Sequence, residues 1–310
     1  MAHPATSALL IQDGDNGVDY ERPLRSQAGW SGAWRRYRAH TLPLVGLVLT
    51  LLVLGVAVFA PLLAPDNPIT QFPNGLSAEG GPRPPGGQFL LGTDSLGRDL
   101  LSRLIWGART SMEIAILANL MSAVIAVTLG ACAGYMGRRV DMLLMRLTDL
   151  LMAIPAMLLA AFLAAVFQPS IGIIVIVVGF VNWFYLARIV RAEVMALRQR
   201  EFVDAARAIG LPTWRILARH ILPQLWGSVI VYSTLNVATT VLFVAALSYV
   251  GIGVQPPTAD WGNIIAEGNT YLSVAPWLVI FPGIALGISV LGFNLLGDGL
   301  RDALDPRQKV

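Results

Sequence analysis

Six stretches of this chain are apolar enough and long enough to cross a bilayer, and that limits the fold before any motif is considered. A spanning helix needs about 20 apolar residues for a hydrocarbon core of roughly 30 Å, because each backbone N–H and C=O there must be paired within the protein. The runs at 42–63, 112–135, 148–168, 170–187, 226–252 and 275–297 meet that condition. Gln168-Pro169-Ser170 is the expected tight turn between the third and fourth. The predicted fold class is therefore an all-α integral membrane bundle of six transmembrane helices. Composition agrees: 13% of the 310 residues are charged and 55% are hydrophobic, whereas a soluble domain carries about 25% charged residues.

Lys and Arg stay on the cytoplasmic side of short loops. Of the 22 basic residues, 18 fall in four segments, Arg22 to Arg38, Arg138 to Arg146, Arg188 to Arg219 and Arg301 to Lys309. Arg83, Arg98, Arg103 and Arg109 fall in the alternate loops. Both termini are thus expected inside. The basic residues punctuate apolar runs instead of gathering on a polar face, which argues against nucleic acid as a partner. About 40 mostly polar residues precede the first run, so that run is expected to be a retained anchor and not a cleaved signal. Just before it, Trp30 to Arg38 mixes aromatics with arginines, as an interfacial helix on anionic cytoplasmic lipid would. A plain topogenic charge cluster fits the same residues. Residues 1–25 are expected to be disordered and suggest no role.

Several function classes drop out. Lys309 is the only lysine, so the phosphate loop of a P-loop ATPase, which needs Lys after its glycines, cannot be built here. Cys132 and three histidines exclude a disulfide framework and a Cys-rich metal site. A charge inside a membrane costs at least about 2.5–3.5 kcal/mol, so it persists mainly where function needs it. The runs at 42–63, 170–187, 226–252 and 275–297 contain none, and Glu113 and Asp149 sit near span ends. A proton-driven secondary transporter or an intramembrane enzyme would need carboxylates or histidines at mid-depth, and internal inverted repeats are not evident. The power for any transport is expected to come from another chain.

The loop at 198–223 is where that power could enter. Phe202, Ala205, Ala206 and Ile209 recur at helical spacing, as do Trp214, Leu217, Ala218 and Ile221, which predicts two short amphipathic helices. Gly210 suits a left-handed cap on the first, Pro212 can open the second and Pro223 is expected to end it. Small Ala205 and Ala206 would let another protein approach closely. On the outer side, 61–92 is rich in Pro and Gly and predicts an irregular loop. Asp94 to Arg109 has Leu100, Leu101, Leu104 and Ile105 on one helical face, and Asp260 to Tyr271 is expected to be a re-entrant or surface helix. Polar Asn182, Ser233, Thr234, Asn236, Thr239 and Thr240 lie inside spans, where they would line a pathway or hold helices together.

Asp204-Ala205-Ala206, three residues, Gly210, and then Leu222-Pro223 resembles the E-A-A-x3-G-x9-I-x-L-P motif of bacterial ABC importer permeases. Asp204 replaces the motif's Glu and His220 stands at its Ile position; no second ligand accompanies His220 to suggest a metal. Leu91 to Arg103, Gly251 to Asn263 and Asn294 to Arg307 resemble the dipeptide, oligopeptide and nickel importer permeases, the C-type subunit in particular. The likeness covers about residues 30–308.

That resemblance implies the six-helix type I importer architecture. Its parts would be a cytoplasmic tail with an interfacial helix at 1–41, a first transmembrane anchor at 42–63 and an extracytoplasmic loop at 64–110. A five-helix permease core at 111–300 with a coupling loop at 198–223, and a cytoplasmic tail at 301–310, would complete it. It also implies partners: a second homologous permease, two ABC ATPases that carry ATP and Mg, an external substrate-binding protein and membrane lipid. The chain itself would bind no cofactor or metal and catalyse nothing. Glu201, Asp204, Ala205, Ala206, Gly210 and Leu211 would couple it to an ATPase, and Asn182, Ser233, Asn236, Thr239 and Thr240 would be pathway candidates. The expected cargo is di- or oligopeptides, with nickel chelates or glutathione on the same architecture as the alternative.

Overall fold

The computed structural model describes residues 30–38, 40–167 and 170–304. Gln168 and Pro169 of the expected turn, and residues 1–25, lie outside them. Among the described residues the protein is helical, with three isolated β-bridges, Leu76 with Pro82, Gly86 with Phe89 and Thr93 with Asp99, and no sheet. Five helices are long and apolar enough to cross a membrane, and a bent pair makes a sixth if it is counted as one span.

The chain begins with α1 (Trp30–Arg38) and the first long helix, α2 (Thr41–Val58). The first apolar run is not one helix: Phe59 ends α2, and Ala60–Leu63 forms a separate turn, α3, with Pro61 at its start. Proline has no N–H for the preceding ladder, so the helix stops there and a new turn begins. Leu42, Val48, Leu51, Leu52 and Val58 of α2 are exposed, which suits a face solvated by lipid.

The irregular segment 64–99 leads into α4 (Leu100–Met136). Asp99 caps it by accepting from the Ser102 N–H. The amphipathic stretch expected as a separate outer segment is therefore the first two turns of the second span. No proline interrupts residues 100–136, so the ladder runs unbroken over about 55 Å at 1.5 Å per residue.

The third run is corrected most. It is divided between α5 (Arg138–Met152) and α6 (Ala156–Val166), which meet at 88°. Pro155 stands at the N-cap of α6, and its ring and missing N–H prevent α5 from continuing. Arg138, Arg139, Asp141, Arg146 and Asp149 all sit on α5, so its polar face needs water or partners. Two partners come from α7 (Ile171–Leu197): Asp141 pairs with Arg191 and Asp149 with Arg188. The fourth span thus extends well past residue 187, carrying both arginines on helix.

Three short elements follow: α8 (Glu201–Ala208), α9 (Thr213–Ile216) and a π-turn at Leu217–Ile221. The π-turn feeds directly into α10 (Leu222–Tyr249). Pro223 was expected to end the second short helix, yet it lies in the first turn of α10. The Leu222 N–H reaches back to the Leu217 carbonyl, a five-residue step that absorbs the proline where a normal α-turn would break. After α11 (Trp261–Asn269), α12 (Trp277–Leu304) closes the bundle with Pro282 inside it.

Lipid tails offer helices no hydrophobic drive to associate, so close approach of small residues must hold the bundle together. On α4, a Cβ at Gly130 would stand 2.6 Å from the Ala187 carbonyl oxygen of α7, and one at Gly134 2.7 Å from that of Arg191. On α7, a Cβ at Gly179 would stand 2.9 Å from the Ala118 carbonyl oxygen. Gly46 on α2 and Gly292 on α12 do the same for that pair. Gly130→Leu is expected to destabilise the protein by about 1–3 kcal/mol or more, the cost of overpacking a fitted interface. Thermal unfolding in detergent checks it; Gly55→Ala, where a Cβ meets nothing within 4 Å, is the control and should unfold with the wild type.

Candidate functional site at the 198–223 elbow

The chain turns at 198–223 by means its residues dictate. Glu201 and Asp204 occupy the first turn of α8 and Arg207 its last, the arrangement that complements a helix dipole. Asp204 and Arg207 also pair at 3.0 Å. The helix stops in a Schellman motif: the Leu211 N–H donates to the Ala206 carbonyl at 3.2 Å and the Gly210 N–H to that of Arg207 at 2.9 Å. Gly210 takes the left-handed φ of +75° that this motif requires. Pro212 then caps α9, accepting from the Arg215 N–H at 2.9 Å.

The apolar stripe of α8 divides into two edges. Val203 and Ala206 are buried in the bundle core beside Ile216 and Ile221, with Leu211 packed against them. Ala206, expected beside Ala205 on a partner-facing surface, is therefore turned inward and seats the helix on its own chain. Phe202, Ala205 and Ile209 are exposed, Ile209 at 76%. Trp214, 64% exposed with the Arg215 guanidinium 5.2 Å from its ring, extends the same surface. These side chains form an exposed apolar edge beside Glu201 and Asp204, and exposed apolar patches rimmed by polar residues are the kind of surface partners use.

Inside the bundle the polar residues picked out in the spans come together, and Asn119 of α4 joins them. The Asn119 amide donates to the Ser233 carbonyl at 2.9 Å, and the Asn236 amide to the Asn119 side-chain oxygen at 2.9 Å. The Asn182 amide donates to the Thr240 hydroxyl at 3.0 Å, which in turn donates to the Asn236 carbonyl. Thr239 donates to Asn236 and is exposed, while Thr234 bonds its own helix at Ile230. Sequence reasoning passed over Asn119, although a lone carboxamide within an apolar run was the available signal.

The end of α4 nearest α11 holds a buried ion network. Asp94 accepts from Arg98 at 2.6 Å and pairs with Arg103; Glu267 of α11 pairs with Arg103 at 2.6 Å and Arg98 at 3.2 Å. Asp94 and both arginines are buried. Nearby, Asp260 caps α11 through the Gly262 and Asn263 N–H groups and accepts from the Ser111 hydroxyl of α4 at 2.7 Å. The motif Asp94 to Arg103 was visible in the sequence; its closure through Glu267 was not, because that partner is over 160 residues away.

Burial pushes the Asp260 carboxyl above its ordinary value, against the pull of its hydrogen-bond donors. A raised carboxylate contributes stability that is complete below the unfolded value and is lost as pH rises through the folded one. Asp260→Asn removes that dependence. Its unfolding temperature should gain on the wild type's as pH rises from acidic to neutral, measured on both proteins in detergent; a constant difference would contradict the assignment.

A family model described as "Binding-protein-dependent transport system inner membrane component" matches residues 126–310, and one described as "N-terminal TM domain of oligopeptide transport permease C" matches residues 29–82. A dipeptide transport system permease protein from Alkalihalophilus pseudofirmus is 38% identical over 97% of this chain and 97% of its own length. An oligopeptide transport system permease protein from Bacillus subtilis is 38% identical over 94% of each. A glutathione transport system permease protein from Escherichia coli is 37% identical over 95% of this chain and 96% of its own.

Proposed function

Because the chain belongs to the binding-protein-dependent transport system inner membrane components, as a C-type permease subunit of the peptide and oligopeptide ABC importers, we propose that it imports di- or oligopeptides and is driven through α8. It is a multi-pass protein of the bacterial inner membrane and a non-catalytic transport subunit. The proposed assembly pairs it with a second homologous permease, sets two ABC ATPases below and takes substrate from an external binding protein. In that assembly the architecture is of the type I kind, with six spans, the bent pair α5 and α6 counted as one, and both termini cytoplasmic. The excess of arginine in the loops on one side supports this orientation.

The observation that carries the reading is the divided stripe of α8. Val203 and Ala206 fasten the helix to the bundle while Phe202, Ala205 and Ile209 are left for a partner. An ATPase groove that receives this edge, with Glu201 and Asp204 at its rim, moves α8 when the ATPases close on ATP. The Schellman turn at Gly210 and Leu211 keeps the elbow stiff, so motion passes into α10 without bending. Rigid-body gating of this kind switches access from one side to the other. Peptide cargo is supported by the names of the two 38% relatives, which specify dipeptides and oligopeptides. Asn182, Ser233, Asn236, Thr239 and Thr240 are proposed to border the pathway, with Thr239 nearest the open side.

Ala205→Arg places a long cation on the exposed edge without touching the core. The variant should insert and accumulate like the wild type yet lose uptake by about tenfold or more, since burying a charge in an apolar contact costs at least about 1.4 kcal/mol, which is a factor of ten. Uptake of labelled peptide by cells carrying the complete importer measures this. Wild-type uptake from Ala205→Arg would overturn the docking assignment.

A further inference from the structure

Tyr135 lies one residue before the end of α4 and is 8% exposed. Two guanidiniums lie over its ring, that of Arg198 at the end of α7, 5.8 Å from the ring centroid, and that of Arg207 in the last turn of α8, 5.5 Å away. Both lie within the range of a cation–π contact. Gly137 makes room for the first: a Cβ there would stand 3.0 Å from Arg198 Nη1. Arg198 therefore rests at the C-terminal end of α4, where the helix dipole favours a cation. Arg207 is held in turn by Asp204.

Beside these two arginines the elbow is not solidly packed. Gly134, Met195, Arg198, Gln199, Asp204 and Arg207 line an open cavity of about 490 Å³ between α4, α7 and α8. The Tyr135 ring is a direct contact of α4 with α8, beside the covalent link of α8 to α7 through residues 198–200. Beyond it, α4 and α7 are locked backbone to backbone at Gly130, Gly134 and Gly179, so a displacement of the inner end of α4 is not dissipated along its length. At the outer end Arg103 pairs with Glu267, the Trp261 indole N–H donates to the Leu104 carbonyl at 3.0 Å, and Ser111 donates to Asp260. Each of these ties α4 to α11 or its cap.

We infer that α4 is the member that joins the cytoplasmic elbow to the outer rim, and that Tyr135, with Arg198 and Arg207 over its ring, is its inner joint. Tyr135 is a positioning residue: it touches no substrate and acts by keeping α8 and α4 in step. The inference rests on the seating of α8 on an ATPase. It adds that events at the outer surface and at the ATPases reach each other along α4, as reciprocal coupling requires.

The test uses the complete importer reconstituted in vesicles, with Cys132→Ser and Ala205→Cys in this chain so that cross-linking to the ATPase can be followed. Tyr135→Phe keeps the aromatic face and Tyr135→Leu removes it at similar bulk. The reading is the ratio of ATP hydrolysis with and without substrate-loaded binding protein outside. Tyr135→Phe should keep this stimulation, while Tyr135→Leu should cut it by about tenfold, a usual size for coupling between sites, with the cross-link intact. Retained stimulation in Tyr135→Leu, or equal loss in both variants, would overturn the joint while the seating of α8 stands. Absence of any cross-link in the Tyr135 parent would overturn the seating and the joint with it. Should Tyr135→Leu fail to insert, Arg207→Gln is read in the same way, with the same outcomes deciding.

Discussion

A backbone in hydrocarbon must pair its own polar groups, and helices so formed gain little by clustering unless they touch closely. The contact of α4 with α7 answers both demands. Gly130 and Gly134 admit the carbonyls of Ala187 and Arg191, and Gly179 admits that of Ala118. Two long helices are thereby made into one rigid body. At one end of this body Arg198 reaches Tyr135, and at the other Arg103 pairs with Glu267 of α11. Were this seam loose, movement of α8 would be lost within the bundle.

Polar side chains within this frame do three different things. The carboxamides tie three helices: Asn236 of α10 donates to Asn119 of α4, Asn119 to the Ser233 carbonyl of α10, and Asn182 of α7 to the Thr240 hydroxyl of α10, which holds the helices in register. The charges of Asp94, Arg98, Arg103 and Glu267 are collected where α4 meets α11, and removal of one partner would strand another in a buried site. The charges of α8 remain in water.

Much of this was legible in the residues. Five of the long apolar runs marked spanning helices, and Gly210 with Pro212 marked the corner, because left-handed backbone and a fixed φ are written in single residue types. What escaped notice depends on neighbours. Pro155 breaks a helix while Pro223 does not, because the turn before Pro223 can widen into a π-step. Ala205 and Ala206 are alike as residues, and only the bundle decides that one is covered and the other bare. The helix-like face from Leu100 to Ile105 was visible, but its continuity with the second span follows from Asp99 capping the helix there. Tyr135 offered no signal at all, since its partners Arg198 and Arg207 reach it from two other helices.

The central claim is that this chain has no source of energy within it and is driven by a separate motor at its inner elbow. The most direct measurement is accumulation of labelled peptide in vesicles containing the two permease chains, with the external binding protein supplied, before and after the ATPases and ATP are added. The account predicts no accumulation against a gradient until both are present. Concentrative uptake by the permease chains alone, under any ion gradient, would contradict it.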